Sequence, residues 1–312
     1  MIGYNRLGIN GRLANQMFQY ASLRGIAAKH GYDWVIPPRD TETHHMAEYL
    51  LMDGFELPHL KEENIGYVPG NWKTLDEPCH DFDAELFENC PDNVNIDGYR
   101  QSTKYFSHIE DEIREDFTFK EDILKPCQEF ISQFNDDVIA LHVRRGDSTG
   151  RPEKYPVASI EWYKKMLEKF PTDVPVVVIT DQLDWVMNQD LFGQDRFFIS
   201  EQREYSDYQV FNGRGKMEYS LSPWVDLCLL SLCNGSIIPN STYGWWGSFL
   251  QKNKKYDTVY QFPYFGPFFY DIHECYRELK DFYPKEWIKG DLTDDLIDKV
   301  YTPMKGEEMV GQ

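Results

Sequence analysis

The sequence predicts an α/β protein built on parallel, doubly wound sheets. Three observations predict it. Residues 138–143 and Val176–Thr180 are short runs of strand length dominated by Val, Ile, Leu and Ala. A third run, Ser236-Ile237-Ile238, has the same character. Helical patterns stand between these runs, and strands alternating with helices pack as a parallel sheet covered on both faces.

The elements follow in order. Residues 1–30 predict a short strand, a loop holding Gly8 and Gly11, and a helix. That helix carries a small or apolar face at Ala14, Met17, Phe18, Ala21, Gly25 and Ala28, and it ends at Gly31. Residues 31–130 are acidic and rich in turn signals such as Pro37-Pro38 and Pro91-Asp92, and no element is assigned there. After the strand at 138–143, Ser159 is placed to cap a helix with Ile160, Tyr163, Leu167 and Phe170 on one stripe. The strand Val176–Thr180 ends on Asp181. Asp226 opens an apolar helix (Leu227, Leu229, Leu230, Leu232) that runs into the third strand. Asn240-Ser241-Thr242 then opens a helix containing Trp245, Trp246, Phe249 and Leu250. The expected organisation is an N-terminal domain over residues 1–134, a C-terminal domain over 135–290, and a polar tail over 291–312.

Composition narrows the function. Hydrophobic residues at 41% and charged residues at 27% fit a soluble globular chain. A net charge of −20 argues against nucleic acid or an anionic membrane as partner, since both require basic surface. No run is long and apolar enough for a signal peptide or stable membrane insertion. The six cysteines (Cys79, Cys90, Cys127, Cys228, Cys233, Cys275) show no CxxC spacing, so the expectation is free thiols in a reducing cytoplasm. The abundant aromatics (20 Tyr, 20 Phe, 8 Trp) suit a core first and sugar stacking second.

One hexapeptide concentrates the chemistry: His142-Val143-Arg144-Arg145-Gly146-Asp147. It places two guanidiniums at the carboxyl end of a buried strand, where open α/β sheets bind ligands. Guanidinium matches a phosphate fork bidentately, so Arg144 and Arg145 together suggest a diphosphate; the plain alternative is an exposed surface pair. Asp147 reads as a carboxylate that orients an arginine before it reads as a base. His142 reads equally as a core histidine bonded to backbone or as a ligand contact. Two helix starts add candidates. Asn15-Gln16 and Ser241-Thr242 each offer polar groups where helix N-termini favour anions, with ordinary capping as the alternative. Trp245 and Trp246 read as packing residues. Asp81-Phe82-Asp83 has the Asp-x-Asp form used for metals, but chance matches are frequent in an Asp-rich chain, and it follows no apolar strand. No metal is expected.

Several blocks resemble the α-1,2-fucosyltransferases of glycosyltransferase family 11. Gly11-Arg12-Leu13-Ala14-Asn15-Gln16-Met17-Phe18-Gln19-Tyr20-Ala21 is similar to the family's amino-terminal signature. His142 to Asp147 resembles the His-x-Arg-Arg motif shared with α-1,6- and protein O-fucosyltransferases. Gly98-Tyr99-Arg100-Gln101-Ser102 through Tyr105-Phe106, and Asp226 through Trp246, also resemble family blocks in order and spacing.

The resemblance, over roughly residues 1–260, implies a GT-B-like fold of two Rossmann-like domains facing a cleft. It implies an inverting, metal-independent enzyme with GDP-fucose as donor and a galactose-terminated oligosaccharide as acceptor, linked at galactose O2. It implies that Arg144 meets the donor phosphates with Arg145 beside it, and that His142 and Asp226 read guanine. Thr242 and Ser241 would bond the diphosphate, and Asn15 would line the cleft. For the general base it offers Glu153, with Asp147 as competitor and a base-free route as third option. Two departures stand out: Ala14 replaces a usual glycine, and Ser148 stands where relatives carry Tyr or Lys. The competing expectations are transfer of another GDP-sugar, fucosylation at a different acceptor position, and a non-catalytic carbohydrate-binding protein.

Overall fold

A computed structural model of the 312-residue chain describes residues 1–39, 50–134, 137–149, 151–200, 209–212, 215–218 and 223–299. The chain forms two compact units. The first takes Met1–Pro126, Leu279–Pro284 and the described part of Gln202–Val225. The second takes Cys127–Glu201, Asp226–Glu278 and the chain from Lys285 onward. The division therefore falls between Pro126 and Cys127, inside the helix Glu121–Ile131, and not at 134/135. The polypeptide also passes between the units several times where the sequence suggested one passage.

The first unit holds β1 (Ile2–Gly3), β2 (Trp34–Val35), β3 (Lys73–Leu75) and β4 (Val94–Ile96). These form a parallel sheet in the order β2-β1-β4-β3, so the segment without assigned elements supplies three of its four strands. The helix Leu13–His30 follows β1 and stops at Gly31 as expected, in the left-handed conformation (φ 68°, ψ 34°). The helix is buried well beyond its apolar face, because Gln16, Gln19, Ser22 and Arg24 are buried too. Each has partners that offset the cost. Gln16 Oε1 accepts from the amides of Leu50 (2.9 Å) and Leu51 (3.1 Å), and Ser22 Oγ donates to the Arg100 carbonyl (2.8 Å). Arg24 pairs with the fully buried Asp116.

The second unit carries β5 (Ile139–Val143), β6 (Val176–Thr180) and β7 (Phe197–Ile199). A hairpin, β8 (Gln209–Asn212) with β9 (Gly215–Glu218), comes next in the chain and belongs to the first unit. The sheet resumes with β10 (Ser236–Ile238), β11 (Thr258–Phe262) and β12 (Ile288–Asp291). Its order is β12-β11-β10-β5-β6-β7, with every pairing parallel. Every residue of β5 and β6 is buried, as a sheet covered on both faces requires. Ser159 does stand at the N-cap of Ile160–Leu167, and the helix packs Trp162, Tyr163, Met166 and Leu167 into the core. Trp245 and Trp246 are wholly buried packing residues.

Two expectations change here. The stretch beyond 290 is not simply a polar tail. Leu292 and Leu296 enter the core, and Ile297 forms a bridge with Ala158, so the chain is folded as far as the described residues run. Of the six cysteines, Cys90, Cys127, Cys228 and Cys233 are buried free thiols, whereas Cys79 and Cys275 are not free. Among the described residues no helix is long and apolar enough to cross a membrane.

Gly25 shows how tightly the first unit is built. A Cβ there would stand 1.9 Å from the Tyr105 carbonyl oxygen. Gly25→Ala should cost about 1–3 kcal/mol through overpacking. Thermal melts should show the loss, and an unchanged Tm would disprove the close approach.

Candidate active site at the strand-order reversal

In the second unit the chain winds outward through β5, β6 and β7, then returns to lay β10 against the other side of β5. The register aligns Ser236 with Ala140 and Ile237 with Leu141. The two carboxyl ends therefore lie side by side, about 4.8 Å apart. The connections leaving them diverge, and that divergence opens the crevice in which doubly wound sheets bind ligands.

From β5 come His142 and Arg144. His142 is buried, and its Nδ1 has no hydrogen-bond partner among the described residues. The backbone-bonded core histidine is thus not what the fold provides. Burial, with the neighbouring Arg144 charge, pushes the imidazole pKa down to about 3, so the ring is neutral at ordinary pH. A neutral ring nitrogen can donate or accept a hydrogen bond, according to the tautomer. Its face is set by glycine: a Cβ on Gly244 would meet Nδ1 at 2.7 Å. Arg144 follows the strand and is half-buried.

From β10 come Ser241 and Thr242. Ser241 is the N-cap of Thr242–Leu250 with extended backbone, yet its hydroxyl makes no capping bond to the helix. Both residues are buried at the helix start, where N–H groups and the helix dipole attract anions. The next residue, Tyr243, brings its ring centroid to 5.7 Å from that of His142. Burial and then the charge of Asp226 raise its phenol pKa well above the ordinary value, which places Asp226 in the same group. Asp226 lies in the first turn of Pro223–Leu232 and accepts a 2.6 Å hydrogen bond from Ser200 Oγ. The residue keeps some exposed surface, but its carboxyl group is deep enough for burial to lift the pKa to about 6.

The two arginines separate. Arg145 is 2% exposed and stacks on Trp185 (4.1 Å), and its Nη1 is 2.7 Å from Asp298 Oδ2. The Arg145 amide donates to Asp181 Oδ1 (2.8 Å). Glu153 is exposed, on a turn whose backbone is pinned by bonds from the Phe268 amide to Glu153 O (3.0 Å) and from the Gly266 amide to Lys154 O (2.7 Å). Asp147 lies in a short 3-10 turn, Gly146–Ser148, and its side chain is outside the described residues. Asn15 lies in the first unit, half-buried, its Oδ1 taken by Gln101 Nε2 (2.9 Å). Asp81 and Asp83 have structural work: Asp83 caps Ala84–Asn89, and Asp81 accepts from the Lys280 amide.

The structure thus places His142, Arg144, Ser241 and Thr242 at or just beyond the carboxyl ends of β5 and β10, and it links Asp226 to them through Tyr243 and adds Ser200. Adjacency to Thr242 was a usable signal for Tyr243. Nothing local marks Ser200, which reaches Asp226 across 26 positions.

A six-stranded parallel sheet wound both ways from β5, with a basic and hydroxyl-bearing crevice at the reversal, defines a GT-B-like α/β fold. The sequence matches Glycosyl transferase family 11 over residues 1–289, and the chain belongs to that family. It is 28% identical over 267 residues to galactoside alpha-(1,2)-fucosyltransferase 1 of Homo sapiens, a match covering 80% of this chain and 66% of that protein. It is also 28% identical over 295 residues to galactoside alpha-(1,2)-fucosyltransferase 2 of Oryctolagus cuniculus, covering 89% and 74%. The chain spans just under two thirds of the galactoside alpha-(1,2)-fucosyltransferase 1 relatives. Among solved structures, fucosyltransferase NodZ from Bradyrhizobium shares the fold at a TM-score of 0.52 and 16% identity, over 80% of this chain and 91% of that one. POFUT1 in complex with GDP does so at 0.50 and 12%, over 83% and 97%.

The raised pKa of Asp226 has a stability signature. The folded state binds its proton more tightly than the unfolded state, whose carboxyl titrates near 3.9. The native state is therefore penalised as pH rises from about 4 through 6, by roughly 3 kcal/mol once the group is ionised in both states. Asp226→Asn should raise Tm at pH 8 and lose that advantage by pH 4. Equal gains at both pH values would contradict the assignment.

Proposed function

We propose that the chain transfers L-fucose from GDP-fucose to a galactoside hydroxyl, with inversion and without a metal, and most specifically to galactose O2. The observation that carries this reading is that Arg144 and the Ser241-Thr242 helix start follow the carboxyl ends of β5 and β10, neighbouring strands at the strand-order reversal. The family and the names of the relatives at 28% identity supply the sugar and the linkage. Solved structures of this fold include NodZ alpha-1,6-fucosyltransferase soaked with GDP-fucose and POFUT1 in complex with GDP.

In this reading the diphosphate lies across the amino end of Thr242–Leu250, bonded by the Ser241 and Thr242 hydroxyls. Guanine sits between His142 and Asp226, because its N1–H and N2–H₂ form a donor pair that a carboxylate accepts in parallel. The acceptor hydroxyl attacks the anomeric carbon from the face opposite GDP. The bond to the β-phosphate oxygen breaks, and the electron pair leaves with GDP. Arg144 meets that growing charge and stabilises it more in the transition state than before. Glu153 is the base assigned to the acceptor proton, as an exposed carboxylate on a backbone held in place. Asp147 is the carboxylate assigned to orient an arginine.

Arg144→Ala should lower kcat by about 100- to 1,000-fold, the usual effect of removing one preorganised donor. Arg144→Lys should recover little, since a point charge cannot form the fork. Transfer assays with GDP-fucose and a galactoside, with linkage read by NMR, check both; near-normal turnover by Arg144→Ala overturns the assignment. Glu153→Gln should cost about 100-fold or more and remove the acid limb of the pH–rate profile. A surviving acid limb would pass the role to Asp147 or to a base-free route.

A further inference from the structure

Asp298 lies beyond residue 289, where the match to the family ends, and beyond the last strand of the sheet. It nevertheless reaches Arg145, the neighbour of Arg144 in the chain. We propose that Asp298 is a positioning residue: by holding Arg145 it fixes the turn from which Arg144 reaches the crevice. This rests on the role given to Arg144 under the proposed function.

The chain after β12 is a strap. Leu292 and Leu296 anchor it in the core, the Ser159 amide donates to Leu296 O (2.9 Å), and the Asp298 amide donates to Val157 O (2.8 Å). Those contacts deliver the Asp298 carboxylate to 2.7 Å from the Arg145 guanidinium. Trp185 covers the guanidinium from another side at 4.1 Å. On the backbone, Asp181 takes the Arg145 amide, and the Thr149 amide closes the turn onto Arg145 O (3.0 Å).

Arg145 is thus gripped at both ends, and Arg144 is attached to it by one peptide bond. Beside the pair, Arg145, Thr149, Pro152, Val157, Ile297 and Asp298 border a cavity of about 230 Å³, which leaves room on that side for the turn to shift. A guanidinium misplaced by about 1 Å loses most of its effect on a developing charge, and losses near 100-fold follow from such shifts.

The test uses the full chain with Asp298→Ala and the isosteric Asp298→Asn, which keeps the shape if the first folds poorly. Two readings are taken on folded protein: amide hydrogen exchange over residues 144–149, and kcat and KM for GDP-fucose. Asp298→Ala should speed exchange in that segment by about tenfold or more while β6 stays protected. It should lower kcat by about 10- to 100-fold with donor KM within about threefold, and Asp298→Asn should fall between it and wild type. Combined with Arg145→Ala, it should add little, because both variants release one grip. Unchanged exchange in both variants, or kcat within about twofold of wild type, overturns the inference. If the unmodified protein transfers no fucose, the proposed function falls, and exchange alone decides whether Asp298 holds the turn.

Discussion

Everything at this site depends on the reversal of strand order beside β5. Crossovers between parallel strands are right-handed, so the connections leaving β5 and β10 must pass over opposite faces of the sheet. Two strand ends that touch through their hydrogen bonds thus send their chains apart. The gap between them is a product of chirality and needs no residue to prop it open. What the sequence adds is which groups look into it: a neutral imidazole, a guanidinium, two hydroxyls at a helix start, and a carboxylate.

The electrostatics of that gap work against the rest of the molecule. The chain carries a net charge of −20, yet an anion is expected to bind beside Arg144. Local geometry prevails because a buried interaction is screened far less than the distant surface charge, which salt attenuates within about 10 Å. The adjacent arginines differ in setting: Arg145 spends its charge inside the protein, on Asp298 and the face of Trp185, while Arg144 stands half-buried at the strand end. A buried carboxylate in the same crevice, Asp226, is a cost to the empty fold, in the way that sites built for polar ligands trade stability for recognition.

The legible parts of the chain were those whose signals are local. β6 and β10 coincide with the apolar runs, β5 starts one residue inside its run, and Ser159, Gly31 and Ser241 end or begin their helices as expected. The first unit was illegible because its strands are only two or three residues long, too short to show a period, and are set by pairing with β1. The helix holding Asp226 starts three residues earlier, at Pro223, since proline tolerates the first turn. Asp298 could not be found from its neighbours: it acts on a residue 153 positions away, and only the folded strap brings them together. The two meanings of Arg-Arg were likewise inseparable until their surroundings were known.

The interleaving of the two units has a consequence for synthesis at the ribosome. The first unit begins at Met1, but Ser102 donates to the carbonyl of Asp281 (2.9 Å), and Phe18 packs near Phe282 (6.0 Å between ring centroids). Its core is therefore incomplete until residue 284 has left the exit tunnel, long after its first strand has emerged. The second unit waits longer still, for β12 and the strap. The first unit cannot close until most of the second has been made, so a strict N-terminal-first, domain-by-domain order is closed to this chain. Closing contacts over such sequence distances costs loop entropy before the contacts reward it, which favours slow folding.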